Sequence, residues 1–181
     1  MIIPPKKYAL LAVVMVAFAS LTTVIVTLLR DGSSELDAEI FVSGDGINPR
    51  SYSPSQITAL PRSVQSIPGE DGTLVTYTGV DLSYLLSLSG APIKEKLKKV
   101  DAGKYLVITG RDGFSAVFAL PEFDRGRFLL VDTIDGMPLS LNDGPFRIIS
   151  PDDKTRMRWI RQIKRLDIRT ALTCAPLFLR V

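Results

Sequence analysis

In KYLVITGRDGFSAVFALPEFD (Lys104 to Asp124), two runs rich in β-branched and aromatic residues flank Gly110-Arg111-Asp112-Gly113. Those runs, Tyr105 to Thr109 and Phe114 to Ala119, read as the two strands of a β-hairpin closed by an Asp-Gly turn. The same bias recurs on both sides. Ala38 to Ser43 (AEIFVS) and Leu74 to Thr78 (LVTYT) read as strands upstream, the first ending in the turn Gly44-Asp45-Gly46. Downstream, Phe128 to Thr133 and Phe146 to Ser150 read as strands, and Leu166, Ile168 and Thr170 alternate as one more. Helices are few and short. Asn48 to Ser55 reads as a loop in which Ser55 caps a helix that ends before Pro61. Asp81 caps a second helix, with Leu82, Leu85 and Leu86 as its apolar stripe and Gly90 as its stop. These signals predict an α+β domain, β-rich and built on a mixed sheet system.

Five Asp-Gly pairs punctuate the chain: Asp45-Gly46, Asp71-Gly72, Asp112-Gly113, Asp135-Gly136 and Asp143-Gly144. None carries the D-x-D-x-D-G spacing with a distal glutamate that a calcium loop needs, so they read as turns.

Composition narrows the chemistry. The chain has 181 residues, 46% hydrophobic and 23% charged, with one cysteine and no histidine. Without histidine there is no Ser-His-Asp or Cys-His catalysis and no His-ligated haem. A single cysteine excludes a Cys-rich zinc site and an intramolecular disulfide. The net charge is +3, of which Lys6 and Lys7 supply two, leaving +1 for the rest. A pI near 9.1 therefore does not mark a nucleic-acid binder. The remaining positive charge is local, in Ile93 to Lys104 (IKEKLKKVDAGK) and in Lys154 to Arg169.

Tyr8 to Leu29 (YALLAVVMVAFASLTTVIVTLL) carries no charge. At 1.5 Å per residue such a helix would span roughly 33 Å, enough for the hydrocarbon core of a bilayer. Lys6 and Lys7 precede the run and Asp31, Glu35 and Asp37 follow it, which predicts export of what lies downstream. Ala17-Phe18-Ala19 before Ser20 also resembles a signal-peptidase site, so residues 1–30 read as a signal anchor or a signal peptide. The expected order is then a linker at 31–37, a domain at 38–170 and an apolar tail at 171–181. The expected location is the periplasmic or other extracytoplasmic face, anchored in the inner membrane by residues 8–29.

Four stretches stand in a telling order: YTGVDLSYLL (Tyr77 to Leu86), KYLVITGRDGFSAVFALPEFD, FLLVDTIDGMPLSLNDGPFRIISP (Phe128 to Pro151) and MRWIRQIKRLDI (Met157 to Ile168). Together they resemble the molybdopterin-binding domain of the sulfite-oxidase-type oxidoreductases, in a short exported form. The resemblance covers about Ile40 to Arg169. It implies a mixed α+β fold, a molybdenum–pterin cofactor and oxygen-atom transfer. It also implies a cysteine ligand to molybdenum shortly before Tyr77, and there the chain reads SVQSIPGEDGTLVT (Ser63 to Thr76), with no cysteine. Cys174 lies beyond the last matching strand. Where the family has a histidine before a glycine-proline turn, this chain has Asp143, an acidic group that would repel the pterin phosphate. The glycine that the family uses between Pro151 and Trp159 is missing as well. Arg147 and Arg158 do match basic residues of the family pocket, and the guanidinium fork suits phosphate and pterin edges.

Three functions follow as expectations. The domain has kept the fold but lost molybdenum catalysis, and serves as a membrane-tethered binding or accessory module beside a membrane or periplasmic redox partner. Alternatively, Arg147 and Arg158 converge with Lys154 or Arg156 to hold molybdopterin in a thiolate-free oxidoreductase. A third reading uses Glu70, Asp71 or Asp112 as acid–base groups of an unrelated enzyme. Trp159 is expected as a core anchor sharing a face with Ile160 and Ile163, with stacking of a ligand cation as the other role for it.

Overall fold

The computed structural model describes residues 38–69, 71–124 and 127–171. The chain divides into two units, Met1–Asp37 and Ala38–Val181. The apolar run, the linker, Glu70, Cys174 and all of the tail after Ala171 lie outside the described residues. Among the described residues no helix is long and apolar enough to cross a membrane.

Among the described residues ten strands form two five-stranded sheets, and the fold is α+β and sheet-rich as expected. The first sheet contains β1 (Ile40–Gly44), β2 (Arg50–Tyr52), β5 (Lys104–Gly110), β6 (Ser115–Ala119) and β10 (Ile163–Thr170), in the order β2-β1-β10-β5-β6. Its β1–β10 pair is parallel, with Val42 opposite Leu166. Every other pair is antiparallel, so the sheet is mixed. The second sheet contains β3 (Arg62–Pro68), β4 (Leu74–Asp81), β7 (Leu129–Ile134), β8 (Met137–Pro138) and β9 (Arg147–Ile149). Strand β7 pairs with β4 along one edge and with β9 and then β8 along the other.

Side-chain alternation explains how the sheets pack. Leu106 and Ile108 of β5, Phe118 of β6 and Leu166 and Ile168 of β10 are fully buried and share one cluster with Val80, Leu130 and Ile148 of the second sheet. Burial of each such side chain contributes roughly 1.5–3 kcal/mol relative to exposure. The opposite face of the second sheet is apolar too. Tyr77, Leu129, Val131 and Ile149 form a smaller cluster there, against which Trp159 and Leu139 pack.

The hairpin at Gly110-Arg111-Asp112-Gly113 forms as expected, with Thr109 opposite Ser115. Asp112 accepts from the Phe114 amide at 2.9 Å, which fixes the turn. Four of the five Asp-Gly pairs place glycine at φ between 78° and 84°, a region closed to most side chains. Helix α2 (Leu82–Leu88) starts on Asp81, which accepts from the Ser83 amide, and buries Leu82, Leu85 and Leu86. Two local expectations are corrected. The loop read at Asn48 to Ser55 contains β2, whose Tyr52 is buried opposite Ile40. Helix α1 (Pro54–Thr58) is capped by Ser53, not Ser55, in a capping box with Gln56. Proline at the first helical position favours that start, because its missing N–H has no intrahelical partner there.

Candidate functional site

Three connections come together at one end of the β5–β6 hairpin. They are the turn carrying Asp112 and Phe114, the loop through Asp143 that leads by the cis Gly144–Pro145 peptide into β9, and the run Trp159 to Arg161 ahead of β10. Backbone bonds tie them. The Arg111 amide donates to the Gln162 carbonyl at 2.9 Å, and the Gln162 amide donates to the Asp143 carbonyl at 3.1 Å. The Ile148 amide donates to Ile160, and the Ile163 amide donates to Phe146. Between them opens a cleft of about 340 Å³, lined by Asp112, Phe114, Asp143, Arg147, Trp159 and Arg161. Its volume falls in the range of small-molecule sites.

Arg147 is mostly buried but poorly held. Its Nη1 lies 3.5 Å from Asp143 Oδ1, and its Nε is enclosed with no hydrogen-bond partner. An unmet buried donor costs about 1–3 kcal/mol. The guanidinium stands over the Trp159 ring at 5.4 Å, and that of Arg156 stands over the same ring at 4.9 Å. Tyr77 meets Trp159 edge-on at 5.7 Å, and the indole N–H donates to the Ser150 carbonyl at 3.1 Å. Trp159 is therefore a half-buried wall of the cleft flanked by two cations, while Ile160 and Ile163 go into the main core. Trp159 thus packs on the smaller cluster instead of sharing a face with Ile160 and Ile163, and the cations over its ring are the chain's own Arg147 and Arg156.

Arg158 is in a different setting. It is absent from the residues lining the cleft. Its Nε and Nη2 grip Asp153 at 2.9 and 2.5 Å, its Nη1 reaches Glu122 at 2.9 Å, and it lies over Phe118 at 4.5 Å. The bond to Asp153 raises its pKa, with burial opposing and Glu122 adding. The structure thus puts Arg147 in the cleft and gives Arg158 to two carboxylates; the two do not converge. Arg156 joins Arg147 at Trp159, and its Nη2 donates to the Pro68 carbonyl at 3.0 Å. Arg161 lines the cleft without having been singled out by sequence. Its only sequence signal was membership of the basic run Lys154 to Arg169.

The carboxylates named as acid–base candidates separate likewise. Asp71 accepts from both the hydroxyl and the amide of Thr73, which hold its carboxyl below the usual range. A carboxylate so stabilised is a poor base. Asp112 lines the cleft, and Glu70 lies outside the described residues.

No protein-family model matches the sequence, and no curated protein matches it. Among solved structures, the chain is similar to the sulfane dehydrogenase SoxCD from Paracoccus pantotrophus, with a TM-score of 0.58 at 20% identity. The two share a fold. The match covers 72% of this chain and 38% of that one, so this chain spans well under half of that length. The fold expected from the four sequence stretches is supported by this likeness.

The donors present can be set against the cofactor the resemblance implies. Ser63 to Pro68 of β3 and Leu74 to Thr76 of β4 fall in the segment where a thiolate is expected, and its sequence offers hydroxyls, amides and carboxylates. A soft thiolate is what molybdenum would take there. Among the described residues no group of three or more histidine, cysteine, aspartate or glutamate side chains is placed to hold a metal ion. In the cleft, Asp112 and Asp143 offset Arg147 and Arg161, so its lining has no net formal charge for a pterin phosphate. The described residues at these two places do not fit the molybdenum–pterin group.

Proposed function

We propose that this chain is an exported, membrane-tethered binding or accessory module on an oxidoreductase fold, without molybdenum chemistry. The observation that carries the reading is the β3–β4 hairpin: it occupies the expected ligand segment and contains no thiol. The commitment of Arg158 to Asp153 and Glu122 supports it, because one of the two basic residues matched to the family pocket is engaged elsewhere. Tethering rests on the apolar run from Tyr8 to Leu29 and its flanking charges. The partner proposed is a membrane or periplasmic redox protein.

The test is cofactor content. The full chain is expressed in a host that makes and inserts molybdopterin, purified gently, and assayed for molybdenum by elemental analysis and for pterin by fluorescence after oxidation. The expected result is both far below one per chain. Near-stoichiometric molybdenum and pterin would establish the other reading, a thiolate-free oxidoreductase. Fractionation checks the tether: the full chain is expected in the membrane pellet and to resist alkaline extraction.

A further inference from the structure

The cleft brings together two arginines that no carboxylate holds closely. Arg62, Arg127, Arg158 and Arg169 each hold a carboxylate at 2.5 to 2.9 Å. Arg147 meets Asp143 only at 3.5 Å with its Nε unmet. Arg161 is exposed and makes no hydrogen bond or ion pair with a described residue. Both line the same space.

Two carboxylates line it as well. Asp112 uses Oδ1 to accept from the Phe114 amide, and Asp143 uses Oδ2 to accept from the Ser140 hydroxyl at 3.2 Å. The Oδ2 of Asp112 remains open. An inorganic polyanion would lose to these two groups much of what it gained from the guanidiniums. A molecule with one carboxylate and one ammonium satisfies both sets at once. An apolar part has a place too. Phe114 is 51% exposed at the rim, whereas the Trp159 ring is already covered by Arg147 and Arg156.

We propose that the cleft binds a zwitterionic aromatic α-amino acid. Its carboxylate lies toward Arg147 and Arg161, its ammonium toward Asp112 and Asp143, and its ring against Phe114. The proposal rests on the reading that this cleft does not hold a pterin, and it names the ligand class of the binding module.

Calorimetric titration of the full chain tests it, with pterin measured on the same preparation. The probes are L-phenylalanine, 3-phenylpropionate, 2-phenylethylamine and inorganic phosphate. L-Phenylalanine is expected to bind at least about tenfold more tightly than each of the other three. Arg161→Gln and Phe114→Ala are each expected to weaken it about tenfold. Neither variant should shift thermal unfolding of the free protein appreciably, since both side chains are exposed and Arg161 bonds to nothing described. Tightest binding of phosphate, or no heat with L-phenylalanine on pterin-free protein, would overturn the proposal and leave standing the reading that the chain holds no pterin. Pterin retained by the wild type and lost from Arg161→Gln would overturn both.

Discussion

Arg147 and Arg158 are alike in that each is flanked by apolar residues and matches a basic residue of the family pocket, and the fold treats them differently. Arg158 is fixed by a two-point bond to Asp153 and a third contact to Glu122. Removing it leaves two carboxylates facing each other without a cation. Arg158→Ala is expected to lower stability by about 1–2 kcal/mol, a figure reduced for its partial exposure, as read by urea denaturation. Arg158→Lys should recover only part of this, because an ammonium cannot reproduce the fork. Arg147→Ala is expected to cost less than Arg158→Ala, since its ion pair is long and its Nε unmet. Equal losses at the two positions would contradict the assignment of one arginine to the scaffold and the other to the cleft. Sequence showed that both positions hold a fork-shaped cation. It could not show which was engaged, because Glu122 lies 36 residues from Arg158 in the chain and reaches it only through the fold.

Among the elements, the hairpins and α2 were readable because their signals are local. Asp-Gly turns, an Asp cap and a three-leucine stripe each act within a few residues. Strand β3 was not, since its outward-leaning pattern leaves Val64 60% exposed and it resembles a polar loop until β4 is beside it. The start of α1 was misread by two residues. The S-x-x-Q box at Ser53 is the better signal, as both of its reciprocal bonds form. Ser53→Ala is accordingly expected to cost about 1 kcal/mol, and Ser55→Ala less, in the same denaturation assay. A more severe effect is expected in β4. Its register with β7 shifts between Thr78 and Gly79, and a Cβ on Gly79 would overlap the Leu130 carbonyl and come within 2.7 Å of the Val131 Cα. Those are backbone atoms of a central strand and cannot step aside. Gly79→Ala is expected to cost upwards of about 3 kcal/mol. A variant with an unchanged urea midpoint would show that the bulge relaxes freely.

At the scale of the whole domain, the two sheets meet in one core through residues far apart in the chain. The parallel β1–β10 pair, with Ser43 opposite Asp167, is a long-range choice that no local periodicity announces. That pair also carries charge. Asp167 is pushed up by burial, but bonds from Arg169 and Ser43, with Arg165 nearby, outweigh this and leave its carboxyl below the ordinary 3.8. The Lys104 bond does the same for Asp101, and the Arg127 bond for Asp152. A carboxyl depressed in the folded state binds fewer protons there than in the unfolded chain. Its contribution is complete above the unfolded value near 4 and is lost as pH falls through the folded value. With no histidine in the chain, no such group changes charge between about pH 5 and 8. Urea midpoints are therefore expected to stay level from about pH 5 to 8 and to fall steadily below about pH 4. Asp152→Asn and Asp167→Asn should each lower the plateau while making the acid limb shallower, because the protonation that drives it has been removed. A midpoint that changed steeply near pH 6 to 7 would mean that the domain's stability is governed by a group other than these ion-paired carboxylates.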